Sequence, residues 1–363
     1  MTTLTSPPPL ETTHVSLTKP RLPQWAPGLV AATAVALAVL IGLVLGWGWV
    51  AMIVIAVLLY VVLMPTWSAI VENRRAAVDR LMTSLVWVAF AGALVPLVSL
   101  IWTVVSKGSS AISSTFLTYS MFRTSLDQPV GIYHALIGTL LITLFAALIS
   151  VPIGIFAAIY LIEYGKGNRL ARGITFLVDV MTGIPSIVAG LFAFALWILI
   201  FGPSARAGLG GSIALAILMI PIVVRSTEEM LRLVPDDLRE ASYALGVPKW
   251  RTISKVVLPT ALGGIVTGVT LSIARVVGET APLLLIAGLT TRTNMNIFDG
   301  RMTTLPVLIF TQNANPGIPP AGGGDPPGIA IAWGGALVLI IIVMVLNLIA
   351  RVVGKIFAPA KAH

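Results

Sequence analysis

The sequence predicts an all-α polytopic membrane protein with about eight transmembrane helices, and three observations carry that expectation. Of 363 residues, 57 % are hydrophobic and only 10 % charged, far from the balance of a soluble domain. Apolar runs of about twenty residues recur, each long enough to cross a bilayer as a helix. The runs are continuous and lack the two-residue alternation of barrel strands. No cysteine is present, which removes disulfides, thiolate metal sites and cysteine nucleophiles. The formal charge of +9 is compatible with nucleic acid, but no basic patch interleaved with aromatics accompanies it.

Taken in order, residues 1–27 carry Pro7, Pro8 and Pro9 among Ser and Thr, and read as a disordered tail. The first apolar run starts too late for a signal peptide and lacks a cleavage-like end. Runs one and two, about 28–46 and 49–65, form a hairpin turned at Gly46, Trp47 and Gly48. A basic break from Glu72 to Arg80 precedes run three, about 82–105. A polar segment, 106–133, leads to run four, about 134–162. Run five, about 174–201, contains Gly183, Ile184, Pro185 and Ser186, so a kink or break is expected there. Run six covers about 207–224. A polar stretch over 225–259 separates it from run seven, about 260–289. An external loop, 290–328, includes a short apolar piece at 305–310 and a Pro/Gly-rich stretch. Run eight, about 329–353, ends in a short basic tail over 356–363. No internal repeat is apparent.

Eight crossings put both termini and the 225–259 loop on one side. On that side fall seventeen of the 23 Lys and Arg residues, including Lys19, Lys166 and Lys361, against five on the other, with Arg275 inside a run. Positive charge favours the cytoplasm, so both termini are expected there.

Local chemistry reads the 225–259 stretch as two short helices joined by a turn. Pro235 suits an early helical position, and Asp236 and Asp237 suit the positive dipole end. Gly246 can take the left-handed conformation that ends the first helix, and Pro248 is placed to open the second. Leu238, Ala241 and Leu245 share one side of the first helix, a face too small for a core, which therefore needs a surface to dock on. The series Glu240, Ala241, Ser242, then Gly246, then Leu258 and Pro259 resembles the signature loop of ABC-importer permeases, with Ser242 and Val256 as mild departures. The resemblance implies a cytoplasmic loop inserted into a groove on an ATPase subunit, with Glu240, Ala241, Gly246, Leu258 and Pro259 at the docking site.

Arg275 and Glu279 form the sharpest pair. At i, i+4 on a helix they would share one face, one turn apart. Charges at membrane depth are costly and mark either a functional path or a structural ion pair. Thr182 and Ser186, beside the run-five break, could offer hydroxyls or freed backbone N–H groups to an anion, or simply bond their own helix. Asp179 reads as an edge residue and Arg225 as a side chain snorkelling to the interface. Gly42/Gly46 and Gly264/Gly268 have small-residue spacing for helix contact. His14, His134 and His363 are too scattered for a metal site.

The segment from Ala274 to Leu284 resembles one in the phosphate-specific ABC permeases, A-type subunit. Gly183 to Leu191 and Thr304 to Ile309 resemble two further segments of that family. Together with the loop, the likeness covers about 80–355. It implies a type I ABC importer permease core over 66–355, to which the hairpin at 28–65 is an addition. It also implies Arg275 and Glu279 in the substrate path. Partners implied are a sibling permease in a heterodimer, two ATPase subunits and an extracytoplasmic phosphate-binding protein, in a bacterial plasma (inner) membrane. No G-x-x-x-x-G-K-[ST] loop occurs, so ATP and Mg are expected on the ATPase and no cofactor on this chain. Alternatives are a permease for another oxyanion, an ion-coupled secondary transporter, and an intramembrane hydrolase. The last lacks any paired-acid or His-rich helix.

Overall fold

The computed structural model describes residues 21–123, 128–165, 167–320 and 322–356. The 1–27 tail lies largely outside the described residues, as do His14, Lys19, Lys166, Lys361, His363 and all but the first residue of the 356–363 tail. The chain divides into two compact units, Met1–Ile101 and Trp102–His363. The division between the units falls inside a long helix.

In the first unit, α1 (Ala26–Leu45) and α2 (Trp49–Val71) form the expected hairpin. Gly46 closes α1 in the left-handed conformation, φ 67°, where a side chain would be strained. Ala26, Val30, Ala34, Ala38 and Gly42 make a buried stripe every fourth residue on α1. A Cβ on Gly42 would meet Met52 of α2 at 2.4 Å, whereas Gly46 has open space around it. The Gly42/Gly46 spacing is therefore one contact and one cap. α2 runs past Pro65 rather than ending there, as membrane helices tolerate. α3 (Arg74–Gly108) starts within the basic break and continues into the second unit.

Glu72, between α2 and α3, is buried and saturated with donors. It accepts from Leu22 N at 2.8 Å, Ser68 Oγ at 2.5 Å, and Arg80 Nε and Nη2 at 3.0 Å each. The Arg80 guanidinium first, then Ser68 and the Leu22 amide, hold its carboxyl at about 2 against the opposing effect of burial. A depressed carboxyl pKa stabilises above the unfolded value, near 4.5, and that contribution is lost as pH falls toward 2. The hairpin base should thus be insensitive to pH between 5 and 8 as far as Glu72 is concerned. Glu72→Gln should raise hydrogen exchange of residues 22–30 and 66–84 at neutral pH, by an order of magnitude or more for a cost of ~1.5–3 kcal/mol. Unchanged exchange there would show that the carboxylate is not what ties the base together.

The second unit begins with the short α4 (Ser114–Thr118), capped by Ser113 Oγ accepting from Phe116 N. Then follow α5 (Tyr133–Ile159), α6 (Arg169–Gly183), α7 (Ser186–Phe201), α8 (Gly208–Arg232) and α9 (Asp236–Ala244). After these come α10 (Lys249–Thr252), α11 (Leu258–Val276), α12 (Ala281–Ile286), α13 (Leu305–Ala314) and α14 (Pro327–Ile356). π turns over Tyr160–Tyr164 and Ile253–Val257 extend α5 and join α10 to α11. Among the described residues seven helices are long and apolar enough to span a membrane, and the α6–α7 pair brings the number to eight if it is one broken span. Among the described residues no strand forms; a single bridge links Ala207 to Gly300.

The α5–α8 pair is the most extensive packing and the centre of the core, with Ile142 and Ala146 against Leu215, Met219 and Val223. Ser212 Oγ donates to Ile142 O at 3.1 Å and so ties the two helices by a polar bond inside the apolar layer. Gly264 and Gly268 of α11 do make the close contact their spacing predicts, with a Cβ meeting Met230 at 2.1 Å and Ser226 at 2.6 Å. The 305–310 piece of the external loop is helix α13, with Leu305, Pro306, Val307 and Leu308 buried. Thr139 Oγ1 of α5 accepts from Leu305 N at 2.7 Å, fixing α13 to the core.

One expected interruption is present and one run is corrected. Run five breaks where Pro185 predicts it: α6 and α7 meet at 112° across Ile184 and Pro185. Proline lacks the N–H a helix needs and forces the residue before it out of the helical region, and Ile184 is extended at φ −75°, ψ 127°. Run seven stops at Val276, and α12 starts at Ala281 with Pro282 in its first turn.

Candidate functional site

The 225–259 stretch is organised by one side chain. Arg239 uses all five guanidinium N–H groups. Nε and Nη2 donate to Glu163 Oε1 at 3.1 and 3.0 Å, and Nη2 also to Leu231 O at 3.0 Å. Nη1 donates to Val234 O at 2.7 Å and Asp236 Oδ1 at 3.0 Å. Glu163 sits in the π turn that ends α5, so this arginine fastens α9 to the ends of α5 and α8 together. Lys249 Nζ donates to the Glu163 carbonyl and lies 4.8 Å from the Tyr164 ring centre. The ion pair is buried, 12 % and 5 % exposed, where water screens little.

A second bond closes the loop on itself. Ser242 Oγ and Thr252 Oγ1 lie 2.8 Å apart, both residues buried, joining α9 to α10. The serine that departs from the alanine of the signature therefore has a defined partner. Gly246 takes the left-handed conformation at φ 75°, as its position between the helices requires. Leu238, Glu240, Ala241 and Leu245 are all exposed, Leu245 at 84 %, as are Tyr243 of α9 and Trp250 of α10. That surface is apolar at its centre, with Glu240 among it.

Leu258 and Pro259 do not end a separate second helix. α10, the π turn and α11 form one helical stretch, Lys249–Val276, in which Pro259 occupies the first turn of α11. Leu258 is half-buried against the core around Val257 and Ala261, and Pro259 is exposed.

Arg275 and Glu279 are not one turn apart on a single helix. α11 ends at Val276, Val277 and Gly278 turn, and Glu279 lies in the break before α12, its N–H bonded to Val276 O at 3.1 Å. Arg275 occupies the last turn of α11, where a cation suits the negative dipole end. No hydrogen bond or ion pair is formed by either side chain among the described residues. Arg275 is exposed and Glu279 half-buried. Two opposite charges thus flank a helix break without neutralising each other.

The break adjoins α7. A Cβ on Gly190 would lie 2.7 Å from Pro282 Cα, so the two segments following Gly183 and Ala274 pack backbone to backbone at α7 and α12. Ser186 is the first residue of α7. Thr182 Oγ1 donates to Val178 O at 2.7 Å, the self-bonding arrangement usual for hydroxyls in helices.

Arg225 is not a free snorkelling residue. It bonds Asp179 of α6 and, at 2.7 Å, Glu228 Oε2 one turn along α8. Asp179 is consequently half of a link between α6 and α8 as well as an edge residue. Sequence reading missed this triad and the Arg239–Glu163 pair. A signal for the latter existed: an acidic residue at a helix C-terminus opposes the dipole and needs a cation nearby.

This architecture, several long apolar helices with a polar two-helix loop clamped to the ends of α5 and α8, is that of an integral membrane protein. Residues 150–363 match the family described as binding-protein-dependent transport system inner membrane component. The phosphate transport system permease protein PstA 1 of Mycobacterium tuberculosis (strain CDC 1551 / Oshkosh) is 48 % identical over 282 residues, 77 % of this chain and 90 % of that protein. The phosphate transport system permease protein PstA of Yersinia pestis is 40 % identical over 265 residues, 73 % and 85 % of the two chains. A chain of the MetNI methionine ABC transporter in an inward-facing conformation aligns at 20 % identity with a TM-score of 0.48, covering 63 % of this chain and 95 % of its own. The chain belongs to the binding-protein-dependent inner-membrane transport family and, within it, to the PstA permeases.

Proposed function

We propose that the chain is the transmembrane permease subunit of an ATP-driven importer of inorganic phosphate. The observation that carries this reading is the unpaired Arg275 guanidinium at a helix end, with Glu279 across the break, in a chain nearly half identical to a phosphate permease. At neutral pH phosphate keeps one or two protons, so it both donates and accepts hydrogen bonds. A guanidinium fork donates to its oxygens, and a carboxylate accepts from its P–OH. Fully deprotonated sulfate offers nothing to the carboxylate and is repelled by it. Arg275 draws the anion in and Glu279 selects for the protonated oxyanion. Ser186, at the start of α7 near the same break, supplies a hydroxyl to the path, while Thr182 stays bonded to its own helix.

Hydrolysis is supplied by a partner. The exposed apolar face of α9, with Leu238, Ala241 and Leu245, together with Glu240 and the Gly246 turn, is the surface an ATPase subunit takes. Arg239 and Glu163 transmit the movement of that subunit to α5 and α8. The full assembly has a sibling permease completing the path, two ATPase subunits holding Mg-ATP, and an external phosphate-binding protein. It lies in the bacterial inner membrane with both termini cytoplasmic. Uptake by the reconstituted complex tests the reading: labelled phosphate should enter with ATP, be competed by unlabelled phosphate and be unaffected by equimolar sulfate or molybdate. Entry without ATP, or competition by sulfate as strong as by phosphate, would refute it.

A further inference from the structure

The hairpin unit carries a second site that the transport reading does not use. α2 and α3 leave the Glu72 turn without extensive packing on one another, and a cavity of about 930 Å³ opens between them. Its polar lining, beside the Glu72 turn, is Arg21, Asn73, Arg75, Asp79 and Arg80. Its walls are Tyr60 and Met64 from α2 and Trp87 from α3. Arg80 is occupied by Glu72, so two of the lining charges cancel. Arg21 and Arg75 are exposed and form no ion pair among the described residues, and Asp79 is the single acid opposing them. The remaining balance is positive.

We propose that this cleft holds one anionic phospholipid, with its phosphate at Arg21 and Arg75 and its acyl chains against Tyr60, Met64 and Trp87. Depth supports this occupant. The turn at Glu72 lies where two spanning helices end, hence at a bilayer surface. Tyr60 is twelve residues from Glu72 and Trp87 thirteen from Arg74, roughly 18–20 Å of helix rise. That spans the hydrocarbon of one leaflet, about 15 Å of a core of about 30 Å, with a few ångströms left for the headgroup layer. A cleft charged at the surface and apolar to mid-membrane matches a lipid end to end. Free phosphate would leave its apolar length unfilled.

The two guanidinium groups set the expected preference, since a basic residue near an anionic headgroup contributes enough for several-fold each. The delipidated full-length chain in detergent, titrated with phosphatidylglycerol or phosphatidylcholine of identical acyl chains and read by native mass spectrometry, should bind one phosphatidylglycerol about 10-fold more tightly or better. In R21Q/R75Q the preference should fall to near parity. Both side chains are exposed and neither takes part in the Glu72 cluster, so the variant leaves that cluster in place. Inorganic phosphate at ~10 mM should not displace the lipid, since it lacks the apolar half of the fit. Equal binding of the two lipids, an unchanged preference in the variant, or displacement by inorganic phosphate would each overturn the proposal.

Discussion

Arg239→Ala should detach the docking loop from the membrane core. It strands the Glu163 carboxylate, 5 % exposed, and removes the side-chain donors to the Leu231 and Val234 carbonyls. Breaking a buried pair by removing one partner costs ~3–5 kcal/mol, most of it from the charge left behind. Hydrogen exchange across 236–252 should then rise by roughly a hundredfold or more, and ATP-dependent uptake should fall with it while the chain still inserts. Arg239→Lys should recover only part, because an ammonium has three donors and no planar fork for the five bonds now made. Glu163→Gln should fall between them, since the amide oxygen still accepts. If Arg239→Ala leaves both exchange and uptake at wild-type values, the clamp is not what holds the loop.

Arg275→Gln should reduce phosphate uptake by roughly 10- to 100-fold at unchanged complex levels, the equivalent of a charge-assisted hydrogen bond of ~1.5–3 kcal/mol. Folding should be unaffected, because the guanidinium has no partner among the described residues to lose. Glu279→Gln separates selection from attraction. Removing the carboxylate lifts repulsion of sulfate, so sulfate should become a competitor of phosphate uptake while the phosphate rate falls less than in Arg275→Gln. Uptake at wild-type rate in both variants, with sulfate still excluded, would take these two residues out of the path.

Much of the architecture is legible in the sequence because membrane spans are dictated by a local quantity. A lipid interior demands about twenty apolar residues per crossing, whatever the neighbours are, so the hairpin, α5, α8 and α14 could be placed from composition alone. Turn chemistry is equally local: Gly46 and Gly246 adopt the left-handed backbone their positions require. Helix breaks were less legible. Pro185 signalled an interruption, but whether the chain bends slightly or turns through 112° depends on what α7 packs against, here Pro282 of α12. The Arg275/Glu279 spacing suggested one helical face, yet Gly278 and Pro282 end the helix between them, so the pair flanks a break instead.

Long-range pairings were out of reach for a physical reason. Arg239 and Glu163 are 76 residues apart, and Arg225 and Asp179 are 46 apart. Nothing in the local pattern around either arginine says which carboxylate it will meet. The sequence by itself determined that this chain is a bundle of membrane helices with a polar loop, because burial in lipid and backbone turns are settled residue by residue. Only the tertiary structure decided which charges are neutralised in pairs and which, like Arg275 and Glu279, remain available, because charge pairing depends on distances through space that the chain order does not contain.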